Sequence, residues 1–222
     1  MKKIISFSLW GDDKKYTIGA IKNADLAKDI YPGWICRYYV GKSVPVDIII
    51  ELKKRSNTEV YILNEQGDWT GMFWRFYAAS DRDVHCMISR DCDSRLNIRE
   101  KSAIDEWMNS DKNFHIMRDH PYHAIEILGG MWGCKSPVLC NMVDLIEEYK
   151  NKGNFWQVDQ NFLKEVVYPQ IKDDSLIHDE FFEKNPFPVP RKGLEFVGQV
   201  FDENENTPQE HLEPLKSALG IK

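Results

Sequence analysis

Apolar and polar residues are arranged along the chain in two different patterns, one typical of strands and one typical of helices. Short apolar stretches of strand length, with many β-branched and aromatic residues, occur at residues 4–10, 35–40, 60–63, 84–89, 114–117 and 127–132. Apolar residues at helical spacing mark helices at residues 20–30, 69–77, 98–108, 138–149 and 159–167. Pro32 and Gly33 follow the first of these patterns and predict the end of that helix.

The order of these elements predicts an α/β fold. Strands and helices alternate in the first half, which favours a largely parallel sheet covered by helices on both faces. The later strands follow one another closely, which predicts an antiparallel addition to that sheet. A chain of 222 residues is long enough for one substantial core, so we expect a single domain. In such sheets ligands bind beyond the carboxyl ends of the strands.

Composition narrows the class of partner. The formal net charge of −6 argues against nucleic acid, because affinity for nucleic acid comes largely from clustered Lys and Arg. No apolar stretch approaches the roughly 18 residues that cross a bilayer, which predicts no transmembrane segment and leaves peripheral membrane contact open. Five cysteines without a CxxC pair favour reduced thiols and a cytoplasmic location. The oligomeric state is not predicted by these features.

The two ends of the chain differ in character. The first ten residues have the pattern of a strand and not that of a signal peptide. Residues 202–210 are polar and acidic without apolar periodicity, which predicts a loop. We therefore interpret residues 202–222 as a peripheral tail.

Two Asp-X-Asp triplets flank the predicted strand at residues 84–89. Asp81 and Asp83 precede the strand, whereas Asp91 and Asp93 follow it, at the end where a ligand is expected. The triplet is frequent by chance, so its position decides between the two pairs. Carboxylates at Asp91 and Asp93 could both reach one hard divalent cation, which prefers oxygen ligands. The alternative is that Asp91 or Ser94 only caps the following helix.

The second triplet also carries a resemblance to a known family. Residues 88–96, which follow the aromatic stretch 74–77, resemble the DxD region of GT-A glycosyltransferases. The stretch from residue 67 to residue 123 is more closely similar to a small group of viral and bacterial glycan-building enzymes, and the similarity extends over residues 7–202. It implies the Rossmann-like GT-A fold, with a mixed, mostly parallel sheet. It also implies hexose transfer from a nucleotide sugar, usually a UDP-sugar, to a glycan or other hydroxyl acceptor with Mn²⁺ or Mg²⁺.

The resemblance implies roles for particular residues. Asp91 and Asp93 match the metal-binding DxD motif. Asp159 and Gln160 match the Asp-Gln pair that lies beside the transferred sugar in retaining members. His178 stands where a late histidine supplies a third metal ligand, although the usual HFxGxxKPW surround is missing. For His178, a hydrogen-bonded, partly buried histidine is the alternative.

The nucleotide half is expected to span about residues 1–110, and the sugar and acceptor half about residues 111–201. GT-A enzymes usually hold the nucleoside where the first strand ends, which places Phe7, Leu9, Trp10 and Asp12 there. Asp12 is the candidate contact to the base or ribose.

Further polar and glycine residues are candidates for contacts to the donor. Arg75 and Arg90 could bind a diphosphate, because a guanidinium forms paired, charge-assisted hydrogen bonds with it; the alternative is an ordinary surface charge. Gly129 and Gly130 are unusual in a central strand and predict close approach of the backbone to a ligand, or a bulge.

A catalytic base and a sugar platform can also be sought in the sequence. Asp119 could serve as the base of an inverting transfer, whereas a retaining transfer requires none. Residues 120–123 could equally shape a turn. Trp132 or Trp156 could stack on a sugar.

Two other functions stay open: a sugar-phosphate nucleotidyltransferase, and a carbohydrate-binding protein without turnover.

Overall fold

The computed structural model describes residues 1–135 and 138–221. Within those ranges the strands form one seven-stranded sheet in the order β3-β2-β1-β4-β6-β5-β7. The strands are β1 (Lys2–Leu9), β2 (Ile35–Val40), β3 (Thr58–Ile62), β4 (Val84–Arg90), β5 (Phe114–Arg118), β6 (Trp132–Lys135) and β7 (Ser175–Asp179). β1 runs parallel to β2 and β4, and β6 is antiparallel to β4 and β5. The predicted mixed, mostly parallel sheet is confirmed.

Helices cover both faces of this sheet. The α-helices are α1 (Lys14–Ile30), α2 (Val46–Lys53), α3 (Ile98–Asn109), α4 (Met142–Lys150), α5 (Val158–Phe162), α6 (Tyr168–Ile171) and α7 (Gln209–Ala218). A long 3₁₀ helix spans Trp69–Ser80, a π-helical turn at Leu163–Val167 joins α5 to α6, and a short 3₁₀ turn follows at Lys172–Asp174.

Several predicted boundaries differ from the structure. The strand expected at residues 127–132 was wrong over most of its length, because β6 begins only at Trp132 and residues 127–131 form its approach loop. Residues 138–141 lie in a turn before α4. α2, β7 and α7 were not predicted. α2 contains three consecutive isoleucines, which resemble a strand, and β7 is short and half polar.

The core is split into two layers by the sheet. Ile5, Phe7 and Leu9 alternate along β1 and pack with α1 and α3 on one face. On the other face, Phe73 and Phe76 of the 3₁₀ helix pack with Phe162 of α5 and with β6. Burying each such side chain contributes about 1.5–3 kcal/mol relative to exposure. The aromatic 3₁₀ helix is therefore fixed against the sheet.

The chain changes direction across the sheet between β1 and β4. β2 and β3 lie on one side of β1, whereas β4 and all later strands lie on the other. The loop after β1 and the loop after β4 therefore leave from neighbouring carboxyl ends, which is the point where α/β sheets form ligand sites. Within the described residues, no helix is both long and apolar enough to traverse a bilayer.

Candidate active site

A cavity of about 260 Å³ opens beside the carboxyl end of β4. Its floor is formed by six residues from four separate segments of the chain: Arg75, Asp91, Gly129, Gly130, Asp159 and Gln160. Each of these residues was a candidate on sequence grounds, and the fold brings them into one place. Trp69, Met72 and Trp156 stand at the mouth, and the loop residues Gly198 and Val200 close one side.

Asp91 follows the last residue of β4 and its side chain is 39% exposed. The side chain does not cap the next helix, because Asn97 takes that role and accepts a hydrogen bond from the Glu100 N–H at 2.8 Å. The backbone carbonyl of Asp91 accepts from the Ser94 hydroxyl at 3.0 Å, which fixes the turn after the strand. The carboxylate of Asp91 thus takes no part in a helix cap and lines the cavity.

Arg75 joins two acidic residues at the floor of the cavity. Its guanidinium donates to the carboxylate of Asp91 through Nη1 and to Asp159 Oδ2 through Nη2, the second at 2.8 Å. Arg75 and Asp159 are 3% and 1% exposed, so this pair is shielded from water. Burial raises the pKa of Asp159; the charge of Arg75 opposes that shift and the charge of Asp91 adds to it. Among the described residues, Asp159 Oδ1 has no hydrogen-bond partner.

Asp93 is the second carboxylate of the triplet and lies deeper than Asp91. Lys15, in the first turn of α1, forms an ion pair with Asp93 Oδ2 at 2.8 Å. Burial and the neighbouring charge of Asp91 nevertheless raise the pKa of Asp93, because together they outweigh Lys15. The two aspartates therefore repel each other across a shared space.

The two glycines of the approach loop are required by space. Neither has a positive φ, so backbone strain is not the reason for glycine. A Cβ on Gly130 would overlap the Asp91 carboxylate, and a Cβ on Gly129 would overlap Arg75 and lie 2.8 Å from Asp159 Oδ2. Gln160 accepts a hydrogen bond from the Gly129 N–H, and Ser89 donates to the Gly129 carbonyl at 2.6 Å. The backbone therefore lies close to the side chains of Asp91 and Arg75, and its close approach to a ligand stays a prediction.

The donor set at Asp91 and Asp93 fits a hard divalent cation. Two carboxylates one residue apart repel each other, and a cation between them would relieve that repulsion. Arg75 takes one oxygen of Asp91 and Lys15 one oxygen of Asp93, and the other oxygen of each is the one available to a metal. Within residues 1–135 and 138–221, His, Cys, Asp and Glu side chains form no metal-holding group of three or more. The remaining ligands would therefore be ligand oxygens and water.

Three predicted donor contacts are contradicted by the structure. Arg90 is 2% exposed and its Nε donates to Glu100 at 2.8 Å, so it is a buried structural charge and not a diphosphate ligand. The alternation along β4 explains this: Arg90 points to the same face as Ile88. Phe7 and Leu9 are 0% and 1% exposed and belong to the core, where Phe7 stacks on Tyr38.

Asp119 is not placed to act as a base. Its side chain is fully buried, and its oxygens accept from Arg99 at 2.9 and 3.0 Å and from Arg191 at 2.6 Å. The Val197 N–H donates to it as well, at 2.9 Å. Asp119 thus ties together three segments, and an acceptor hydroxyl cannot reach it. The alternative for residues 120–123 is confirmed, since the His123 N–H donates to the His120 carbonyl at 2.9 Å in a turn.

His178 is not placed to bind the same metal as Asp91 and Asp93. It lies on β7, at the edge of the sheet and separated from β4 by β6 and β5. Its ring is 2% exposed and hydrogen-bonded to His115 at 2.8 Å, and burial lowers its pKa. The alternative of a hydrogen-bonded buried histidine is the correct one. Trp132, a stacking candidate, is also fully buried and packs against Phe76.

The end of β1 keeps two candidates near the surface. Trp10 packs edge-on against Trp74 at 6.0 Å, and Asp12 is exposed in the loop before α1. Ser8 was missed by sequence reasoning. Its hydroxyl accepts a hydrogen bond from the backbone N–H of Arg75 at 2.9 Å and so links β1 to the 3₁₀ helix. The alternation along β1 could have indicated it, since Ser8 lies on the face opposite to Phe7 and Leu9.

Lys15 and Trp69 were also missed as functional residues. In the sequence Lys15 cannot be distinguished from an ordinary surface lysine. Only the packing of α1 beside the loop after β4 reveals its ion pair with Asp93. Trp69 looks like one more apolar residue of a helical stripe. Its 46% exposure shows that it lies off the buried face of that helix.

Comparison with known proteins identifies the fold. No protein-family model matches the chain, and no curated protein sequence matches it. A glycosyltransferase involved in glycosylation of the major capsid of PBCV-1 is 16% identical, with a TM-score of 0.51 over 84% of this chain and 91% of that one. Glucosyl-3-phosphoglycerate synthase from Mycobacterium tuberculosis, in complex with Mn²⁺, UDP-glucose and glycerol 3-phosphate, is 11% identical, with a TM-score of 0.52 over 100% of this chain and 81% of that one.

A third similar structure belongs to another class of enzyme. It is 4-diphosphocytidyl-2C-methyl-D-erythritol synthase from Anaerococcus prevotii DSM 20548, 8% identical, with a TM-score of 0.54 over 99% of this chain and 98% of that one. At these identities the comparisons establish architecture. The similarity to GT-A glycosyltransferases is confirmed at the level of the fold.

Proposed function

Starting from a GT-A fold, we propose that this protein is a glycosyltransferase that takes a hexose from a nucleotide diphosphate sugar, with UDP-sugars as the preferred donors. One observation carries the proposal. Arg75 links Asp91, at the end of β4, to Asp159, at the start of α5, on the floor of one cavity. This arrangement supports a cation site that includes Asp91 and a contact to the sugar at Asp159 in the same cavity.

Asp91 and Asp93 would hold Mn²⁺ or Mg²⁺. A divalent cation there supplies charge neutralisation for the diphosphate and for the developing negative charge on the leaving group. Arg75 keeps Asp91 oriented and contributes a fixed positive charge at the floor. Because Gly129 and Gly130 have no side chains, the space beside Asp91 stays open, so that the donor can approach the carboxylates of Asp91 and Asp93.

Asp159 and Gln160 are proposed to face the transferred sugar. Gln160 is fixed by two backbone contacts, to the Gly129 N–H and to the Ile127 carbonyl at 3.2 Å. Asp159 Oδ1, which has no partner among the described residues, is an acceptor that a sugar hydroxyl would satisfy, and this matters because a buried unpaired oxygen is costly. Trp10 and Asp12 remain the proposed contacts to the nucleoside.

We infer retention of the anomeric configuration. An inverting transfer needs a free carboxylate at the acceptor hydroxyl, and among the described residues lining the cavity both acids, Asp91 and Asp159, are paired with Arg75. NMR of the fresh product reads the configuration directly. An inverted product would contradict this inference and leave the transferase assignment intact.

The partners follow from this chemistry. A nucleotide-sugar donor and a glycan or other hydroxyl acceptor are required. The five cysteines are free thiols and four of them are buried, which supports the proposal of a reducing, cytoplasmic setting.

Calorimetry with UDP tests the proposal. We expect UDP to bind in the presence of Mn²⁺ and to bind far more weakly without it, and Asp91→Asn to remove the difference. The matched control is Asp83→Asn, in the triplet that precedes β4. If Mn²⁺ does not change UDP binding, the metal assignment is wrong.

The nucleotidyltransferase alternative stays open because 4-diphosphocytidyl-2C-methyl-D-erythritol synthase has a similar fold. Incubation with CTP or UTP and a panel of sugar phosphates separates the two reactions, because only a nucleotidyltransferase releases pyrophosphate. Pyrophosphate release without hydrolysis of UDP-sugars would replace the transferase proposal.

A further inference from the structure

The tryptophans of the chain differ in exposure: four are buried, Trp10 is half-buried and two are exposed. All seven lie in the described ranges, and Trp34, Trp74, Trp107 and Trp132 are at most 5% exposed. Trp69 and Trp156 are 46% and 66% exposed, and both line the cavity that contains Asp91 and Asp159. Exposed indoles at one cavity mouth contribute little to the core, and such surfaces mark binding sites.

The two exposed tryptophans are held in place by their neighbours. Asp68 caps the 3₁₀ helix by accepting from the Thr70 N–H at 2.8 Å. Its other oxygen accepts from the Asn154 amide at 2.8 Å, which fastens the segment before Trp69 to the segment before Trp156. The mouth is therefore built from two distant parts of the chain that are joined to each other.

Backbone geometry also fixes Trp156. Gln157, the next residue, has a φ of 68° and lies in the left-handed region, which non-glycine residues rarely adopt. This conformation directs the chain from the exposed Trp156 into the buried start of α5, where Val158 and Asp159 are enclosed. Strain of this kind is concentrated at binding sites.

The charge of the cavity is unfavourable for an anionic acceptor. Among the described residues that line the cavity, Arg75 is the one Lys or Arg, and the two carboxylates of Asp91 and Asp159 outnumber it. His123 stays neutral, since burial first and the nearby His120, His211 and Arg191 next lower its pKa to about 3. The mouth thus offers apolar indole faces and no unbalanced cation.

We propose that Trp69 and Trp156 form the acceptor subsite of the transfer, and that the acceptor is an uncharged pyranose ring of a glycan. The C–H face of such a ring is apolar and packs on an indole, while its hydroxyl groups reach towards Asp91 and the donor. This inference rests on the proposed function and names the class of acceptor for the same site.

The first experiment measures binding to the intact protein by saturation-transfer NMR. The probes are methyl β-D-glucopyranoside, methyl β-D-galactopyranoside and methyl α-D-mannopyranoside, each with UDP and Mn²⁺ present. We expect at least one glycoside to bind, and Trp156→Ala and Trp69→Ala to weaken it about fivefold or more. Trp156→Phe should recover part of the loss. The control is Phe155→Ala, a neighbouring aromatic that is 39% exposed.

The second experiment separates acceptor binding from nucleotide binding. Calorimetry of UDP with Mn²⁺ should give the same affinity, within about twofold, for the tryptophan variants and the parent protein. An equal loss of UDP affinity would mean that the indoles stack on the base, and would overturn the proposal. Transfer to glycerol 3-phosphate with no binding of any glycoside would also overturn it. Failure of the proposed function would give a different result from failure of this inference, because the parent protein would then not bind UDP in the presence of Mn²⁺.

Discussion

Single side chains decide the charge balance at the cavity floor. Arg75 is almost fully buried, yet it stays charged because Asp91 and Asp159 surround it. Buried pairs of this kind contribute little net stability, because removing water from the charges costs about as much as their attraction returns. Breaking one is costly, since the partner is left without a counter-ion.

The first prediction concerns Arg75→Met. Asp159 would lose its counter-ion while staying buried, so the free energy of unfolding should fall by about 3–5 kcal/mol. Urea unfolding measures the change. The double variant Arg75→Met/Asp159→Asn should recover most of the stability without recovering transfer. Equal stability of the single and double variants would show that the ion pair is not what the fold depends on.

The second prediction concerns the pH dependence of Asp93. Its pKa in the folded protein is raised by burial and by Asp91, so ionisation opposes folding, and stability is lost as pH rises above the ordinary aspartate value of 3.8. Asp93→Asn should therefore unfold at a higher temperature than the parent at pH 7, with the gap closing towards pH 3. Mn²⁺ should raise the melting temperature of the parent and not that of the variant.

Asp81, in the triplet that precedes β4, provides a pH dependence of the opposite sign. Burial raises the pKa of Asp81, but the Asp83 N–H and Arg37 outweigh burial and lower it, so ionised Asp81 favours folding. Asp81→Asn should melt at a lower temperature than the parent at pH 7, and the gap should narrow as pH falls. A rise in melting temperature for both variants would point to a general effect of net charge.

At the scale of elements, the approach loop before β6 shapes the site. Residues 127–131 have the apolar character of a strand, but Gly129 and Gly130 lack the side chains that a paired strand would pack. The loop lies against Asp91, Arg75 and Gln160 instead. Its backbone is thus one wall of the cavity.

The third prediction concerns Gly130→Ala. The added methyl group would displace the Asp91 carboxylate, so we expect metal-dependent UDP binding to fall at least about tenfold, which corresponds to 1.4 kcal/mol. Gly33→Ala is the control, because its Cβ would meet no atom within 4 Å and it lies before β2, at the opposite end of the sheet; its positive φ means that this change costs stability and not UDP affinity. Calorimetry compares the two. Equal binding by the two variants would contradict the steric role of Gly130.

The sequence predicts the elements with strong periodicity and misses those defined by packing. Residues 35–40 coincide with β2, because their aliphatic and aromatic residues, interrupted at Arg37, form the short run that is typical of a buried parallel strand. α2 was missed because Val46 and its following isoleucines have high β-propensity, and tertiary packing overrides it. For the site, Asp91, Arg75 and Gly130 were found. Arg90 and Asp119 were misassigned because the sequence does not show which buried charges already have partners.

At the scale of the whole molecule, the C-terminal segment packs against the loop that carries the triplet. Residues 202–222 were interpreted as a peripheral tail, but Glu205 within this segment contacts the triplet loop, since it pairs with Arg95 at 2.7 Å and also with Lys22 at 2.9 Å. Directly before the segment, the Phe201 N–H donates to the Asp93 carbonyl at 2.8 Å. α7 was not predicted within this tail.

The fourth prediction concerns Glu205→Gln. Exposed ion pairs contribute about 0–1 kcal/mol, so overall stability should change little. The loop that carries Asp93 would lose one anchor, and we expect Mn²⁺-dependent UDP affinity to weaken by about threefold, with high salt reducing the difference between variant and parent. Glu213→Gln removes an exposed pair with Lys216 in the same tail and should have no effect on UDP.

The ion pairs of Lys15 and Arg75 also determine how ligands assemble. Three carboxylates and two basic groups leave the site with a single excess negative charge. A divalent metal alone would make the net charge of the site positive, and a diphosphate alone would make it more negative. The two together would return the site to its original net charge. Metal and nucleotide should therefore strengthen each other's binding by the same factor, as thermodynamic linkage requires. The protein then selects the metal–nucleotide complex over either component.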